Sequence, residues 1–288
     1  MTRSSATFIG FIAILLWALL ALLTVGAAPM PPLQLNAICF GIGGVIGLIW
    51  VISTGELPAL RRISWKVYAF GTAGLFGYHF LYFSALRAAP AVEAGLIAYL
   101  WPLLIVLFSG LLPGEHLKRG HVIGGVIALI GAALVIGAAG GDAARPDTAI
   151  LGYTLAAGCA LVWSGYSVLS RRLVAVPTAS VAIFCLATAA LSTIAHLTFE
   201  QTVWPQATLG WISVIGLGLG PVGLAFYVWD IGVKRGDIQM LGVASYAAPL
   251  LSTLALIAAG VAAPSWRLLA AAVLISGGAR LASLASRA

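Results

Sequence analysis

Two short stretches of this chain combine the residue types that can hold a small polar molecule. Tyr99-Leu100-Trp101-Pro102 and Ser245-Tyr246-Ala247-Ala248-Pro249 each place a tyrosine three residues before a proline, inside a long apolar run. Proline within a helix supplies no N–H and clashes with the carbonyl four residues back. The carbonyls of Ala98 and Ser245 are therefore expected to lose their intrahelical partners. In hydrocarbon an orphaned carbonyl is costly, so each must face protein or a water-filled space. Tyr99 and Trp101 are two residues apart, roughly 200° around an ideal helix. Both can face one cavity only if the Pro102 kink reorients them.

A third cluster, Tyr78, His79 and Tyr82, lies in another apolar run, with the two tyrosines one helical turn apart. His79 reads as the one ionisable side chain deep within a span, where such residues are functional candidates. A neutral imidazole bonded to a neighbouring tyrosine explains it equally well. Trp17, Tyr99, Trp101, Trp163 and Tyr246 are too deep for an interfacial belt, whereas Trp50, Trp65, Trp204, Trp211 and Trp266 fit one. Asp230 and Glu93 fall near span ends, where loop solvation accounts for them.

The elements that must position these groups follow from composition. Hydrophobic residues make up 61% of the 288 residues and charged ones 8%, too few charges to cover a soluble domain of this size. Ten apolar segments read as membrane-crossing helices, at about 7–28, 34–54, 66–86, 91–112, 121–139, 149–170, 179–199, 208–230, 238–260 and 266–286, each near the ~20 residues a bilayer requires. The first is too long for the apolar region of a cleaved signal peptide, despite the small residues Gly26-Ala27-Ala28.

The chain also repeats itself. Trp17 recurs as Trp163, Pro31 as Pro177, Trp65 as Trp211, and Gly74 and Gly77 as Gly220 and Gly223, at an offset of 146. After one inserted residue the offset is 147, pairing Arg87 with Lys234, Gly95 with Gly242, Tyr99 with Tyr246, Pro102 with Pro249 and Gly131 with Gly278. The expected architecture is an all-α integral membrane protein of ten helices, in two five-helix repeats, residues 1–143 and 144–288, around a central cavity. With the N-terminus in the cytoplasm, Arg3, Arg61, Arg62, Lys66, Lys118, Arg119, Arg171, Arg172, Lys234, Arg235, Arg280 and Arg287 fall inside. Only Arg87, Arg145 and Arg267 fall outside. That asymmetry places both termini in the cytoplasm. Five spans per repeat then make the second repeat inverted relative to the first.

Glycines four apart (Gly43 and Gly47, Gly120 and Gly124, Gly216 and Gly220) read as tight helix contacts. The three cysteines, Cys39, Cys159 and Cys185, read as small packing residues. No metal site, cofactor or nucleic-acid surface is indicated, the net charge of +7 being accounted for by the inner loops. HExxH, GxSxG and paired mid-span aspartates are all lacking, which argues against an intramembrane enzyme.

Ala6-Thr7-Phe8-Ile9-Gly10 through Trp17, Tyr99-Leu100-Trp101-Pro102, and the run from Gly242 through Ser245, Tyr246 and Pro249 resemble the EamA-type transporters of the drug/metabolite transporter superfamily. Within that group the chain is most similar to the bacterial aromatic amino-acid exporters. The resemblance spans essentially the whole chain. It implies ten helices in two repeats, a bacterial inner-membrane location, and export of amino acids or similar metabolites. One departure stands out. Many members carry a glutamate after the fourth and again after the ninth span; here Glu115 is present and the second position is Ala262.

The expected mechanism is alternating access by a single chain. Trp17, Tyr78, His79, Tyr82, Tyr99, Trp101, Trp163, Ser245 and Tyr246 form the substrate site, and Pro102 and Pro249 break the helices. A substrate ammonium would meet tyrosine faces and freed carbonyls. A carboxylate would meet His79, the tyrosine hydroxyls and Ser245. With no buried carboxylate in view, transport is expected to run down the substrate gradient or to couple weakly to protons through His79. A multidrug exporter of the same superfamily is the rival reading, and would call for an acid in the cavity.

Overall fold

The computed structural model describes residues 1–138 and 147–287. The expected boundary between 143 and 144, and Arg145, lie outside them. The described residues are helical, with no strand among them. In chain order the helices are α1 (Arg3–Ala18), α2 (Leu20–Gly26), α3 (Pro32–Ser53), α4 (Leu57–Leu60), α5 (Trp65–Ala88), α6 (Ala91–Ala98), α7 (Trp101–Ser109), α8 (Arg119–Ala138), α9 (Ala149–Ser170), α10 (Val181–Phe199), α11 (Thr208–Leu219), α12 (Ala225–Arg235), α13 (Ile238–Ala244), α14 (Ala247–Ala258) and α15 (Trp266–Arg287). Two 3₁₀ turns, Arg171–Leu173 and Thr178–Ser180, lead from α9 to α10, and a π-helical turn, Gly220–Leu224, joins α11 to α12.

Helix starts follow local chemistry. The side chains of Thr2, Ser64 and Asp237 accept hydrogen bonds from the otherwise orphaned N–H groups of Ser5, Lys66 and Met240, and Pro32 opens α3, where its missing N–H costs nothing. Among the described residues nine stretches are long and apolar enough to cross a membrane, including Arg3–Gly26, Ala91–Ser109, Thr208–Arg235 and Ile238–Ala258. The 24-residue α5 is as long but is not one of them. Its own Tyr68, Thr72, Tyr78, His79, Tyr82 and Ser84 dilute its hydropathy.

The helices pack in pairs: α1 with α12, α3 with α10, α5 with α9, α7 with α13 and α8 with α15. Close crossings require glycine. A Cβ on Gly43 would lie 2.7 Å from the Gly223 Cα, and one on Gly124 would lie 2.5 Å from the Gly278 carbonyl oxygen. Backbones meet directly there, as expected between helices that lack a hydrophobic drive. Trp50, Trp65, Trp204, Trp211 and Trp266 are exposed, and Cys39, Cys159 and Cys185 are buried free thiols.

Charged groups tie the bundle at both ends. At one end Glu115 accepts from Arg171 and, at 3.3 Å, from Arg3. Arg171 also donates to the carbonyls of Val233 (3.0 Å) and Gly236 (2.8 Å), and Arg3 stands 3.6 Å from Asp237. At the other end Glu200 accepts from the N–H groups of Leu33 and Gln34 at the start of α3, from Arg87, and from His196 at 3.0 Å.

Asp230 departs from expectation. It is only 1% exposed, 2.9 Å from Lys234 one turn along α12, and accepts from Thr178 at 2.7 Å. Lys234 also donates to the Val176 carbonyl at 3.0 Å. The turns between α9 and α10 close over the pair, so solvation gives way to a local ion pair.

Candidate functional site

Both proline-bearing rods are interrupted just before their prolines, at Tyr99-Leu100 and at Ser245-Tyr246. The Ala98 carbonyl receives no donor among the described residues, as the missing Pro102 N–H dictates. The Ser245 carbonyl does not stay free: the Ala248 N–H tightens onto it at 3.1 Å. Ser245 itself is fully buried and its hydroxyl donates back to the Leu241 carbonyl at 2.8 Å. It therefore offers a substrate no hydrogen in this state, contrary to expectation. Tyr246 is also fully buried. Its hydroxyl accepts the Leu103 N–H at 3.0 Å, one of the first N–H groups of α7, which have no intrahelical acceptor. A residue of one broken helix thus caps the restart of the other.

The expected aromatic residues form one continuous assembly. Tyr99 lies 6.3 Å from Tyr246 and 6.1 Å from Trp101, so the interruption at Tyr99-Leu100 does bring Tyr99 and Trp101 together. Trp101 and Trp163 each lie about 6 Å edge-on to Trp17. Tyr78 touches Trp163 at 5.3 Å and stacks parallel to Tyr82 at 6.1 Å. Trp101 and Trp163 are nearly buried, while Tyr78, His79, Tyr82, Tyr99 and Trp17 keep part of their surface open.

Members of the assembly that were not anticipated include Trp229, Phe226 and Phe40. Trp229 lies 5.0 Å from Trp17 and stacks on Trp163 at 6.3 Å, with its N–H donated to Ser167 at 3.1 Å. Phe226 lies 5.7 Å from Trp163, and Phe40 lies 5.0 Å from His79. The signal that could have found two of them was the inserted residue. A π turn takes up one extra residue within a helix and is often found at functional sites. The turn at Gly220–Leu224 lies where the repeat offset changes from 146 to 147. Carried back by 147, Trp229 falls on Tyr82 and Phe226 on His79. The Pro221 carbonyl of this turn accepts the Trp17 indole N–H at 3.2 Å, so the insertion also orients Trp17.

The polar groups left open are few. His79 Nδ1 lies 2.7 Å from the Leu75 carbonyl. A carbonyl only accepts, so Nδ1 carries the hydrogen and, in a neutral ring, Nε2 is an acceptor. His79 is thus bonded to backbone rather than to a tyrosine, and as a neutral ring it has no hydrogen to give a carboxylate. The indole N–H groups of Trp101 and Trp163 and the hydroxyls of Tyr78, Tyr82 and Tyr99 make no hydrogen bond among the described residues. None of them is a buried orphan either, those being Gln34, Ser180, Thr188 and Gln239. Among the described residues no cluster of His, Cys, Asp and Glu could hold a metal ion.

Membrane-length helices, two of them broken beside an aromatic site with uncharged hydrogen-bonding groups, define a multi-pass membrane protein built to pass a small molecule. The EamA-like transporter family model matches residues 4–137 and again 150–284. The chain belongs to that family. It is 56% identical to the aromatic amino acid exporter YddG of Ancylobacter novellus over 288 residues, covering all of both chains. It is 29% identical to the aromatic amino acid exporter YddG of Escherichia coli K12 over 300 residues, all of this chain and 99% of that one. A crystal structure of a protein 54% identical to it superposes with a TM-score of 0.93 over the full length of both chains.

Proposed function

We propose that this protein exports aromatic and other neutral amino acids across the bacterial cytoplasmic membrane by alternating access. The observation that carries the reading is the ring assembly itself: aromatic side chains gathered beside uncharged polar groups. The open N–H groups of Trp101 and Trp163 and the hydroxyls of Tyr78, Tyr82 and Tyr99 suit a carboxylate. His79 Nε2 and the Ala98 carbonyl suit an ammonium, and the rings add a cation–π attraction of about 0.5–2 kcal/mol. Such a set matches a net-neutral zwitterion with an aromatic side chain. The names of the 56% and 29% identical relatives point the same way.

The working architecture is ten spans, α5 included, in two inverted repeats, 1–143 and 144–288, with both termini cytoplasmic and the site completed within a single chain. The helix pairings support it. Exchanging the halves turns the α1–α12 pair into the α5–α9 pair and returns α3–α10 and α8–α15 to themselves, as a twofold relation requires. The Arg3–Glu115–Arg171–Asp237 cluster is the inner latch, which must part to admit substrate.

The test is efflux from cells or proteoliposomes loaded with tryptophan, phenylalanine or threonine. Wild type should release the aromatic substrates, and the Tyr99→Ala/His79→Ala variant should fail to do so. Equal efflux by both proteins would overturn the site.

A further inference from the structure

We propose that a groove between the start of α5 and the end of α9 binds an anionic phospholipid. The groove has a volume of about 300 Å³ and is lined by Lys66, Val67, Phe70, Leu169, Arg172 and Leu173. Its two cations are exposed, and neither forms an ion pair among the described residues. Its other four residues are apolar. Trp65, next to Lys66, is 72% exposed, marking the headgroup level where amphipathic rings settle. Two unpaired cations over apolar walls between helices fit a phosphodiester with an acyl chain beneath it. A free phosphate would leave the apolar walls without an occupant.

The groove joins a helix of each half and is linked to the site by two ring contacts. Phe70 packs on Tyr166 at 5.5 Å, and Tyr166 packs on Trp163 at 5.3 Å. A chain seated against Phe70 therefore bears on the packing of the site's inner wall.

Basic residues near a membrane face also set topology, so the experiment separates the two roles by a matched loss of charge. The purified full-length protein is titrated in detergent with phosphatidylglycerol and with phosphatidylcholine of the same chains, and bound lipid is counted by native mass spectrometry. The proteins are wild type, K66Q/R172Q, and R61Q/R62Q, which removes two neighbouring cations that do not line the groove. Wild type and R61Q/R62Q should prefer phosphatidylglycerol. K66Q/R172Q should lose that preference, by about fivefold per cation and about thirtyfold for both. Equal losses in the two double variants, an unchanged K66Q/R172Q, or no preference in wild type would overturn the proposal.

Discussion

The Nδ1 contact to Leu75 makes a sharp demand on His79. If the neutral ring turns an acceptor toward the site, its job is to receive a hydrogen from the substrate ammonium. His79→Asn keeps a nitrogen near the Nδ1 position, able to donate to the Leu75 carbonyl 2.7 Å away in the wild type, and removes the Nε2 acceptor. His79→Gln puts an amide near Nε2 instead. A hydrogen bond to a charged group contributes about 1.5–3 kcal/mol, so losing it should weaken binding about ten- to a hundredfold. The assay is calorimetric titration with tryptophan and with indole-3-propionate, which has the ring and carboxylate but no amine. His79→Asn should show the full loss for tryptophan and stay within about twofold for the amine-free compound, with His79→Gln nearer wild type for both. Equal weakening of both ligands by His79→Asn, or no weakening, would refute the assigned tautomer role.

Other perturbations test the framework. Tyr246→Phe strands the Leu103 N–H and should lower stability by about 1–3 kcal/mol, whereas Tyr99→Phe, whose hydroxyl is unbonded, should not; thermal unfolding in detergent compares them, and equal midpoints would count against the cap. Gly223→Ala sets a Cβ 2.0 Å from the Gly218 carbonyl oxygen, an unyielding backbone contact, and should cost at least the ~1–3 kcal/mol of ordinary overpacking, read as a lower midpoint; an unshifted midpoint would contradict the π-turn geometry. Glu115→Gln weakens the cluster with Arg3 and Arg171 and should speed hydrogen–deuterium exchange in residues 3–9 and 233–240 about tenfold or more; unchanged exchange would count against the proposed latch.

Much of this architecture was legible from residue spacing, because membrane helices announce themselves by length and prolines by chemistry. The rings of Trp17, Tyr99, Trp101, Trp163 and Tyr246 stood out by their depth in apolar runs, and those of Tyr78 and Tyr82 by their one-turn spacing; that they lie side by side is what the structure adds. Trp229 and Phe226 were overlooked because a helical wheel drawn through Gly220–Leu224 loses register at the extra residue. Asp230 looked like a solvated end residue since its cover, the turns from Arg171 to Ser180, is a tertiary feature. Ser245 was misjudged because a serine in a helix can spend its hydroxyl on its own backbone. The interruption at Leu19, between α1 and α2, carries no proline or glycine to betray it.

The bond from Leu103 to Tyr246 has no mirror image, for Tyr99 performs no such service to α14 among the described residues. Under the proposed twofold design, identical halves would let the empty carrier dwell equally long on either face of the membrane. If that carrier breaks this bond on turning and forms no exchanged one, the hydroxyl weights the see-saw toward the pose described above by about what one such bond contributes, ~0.5–1.5 kcal/mol, and the return stroke of the unloaded protein must supply it.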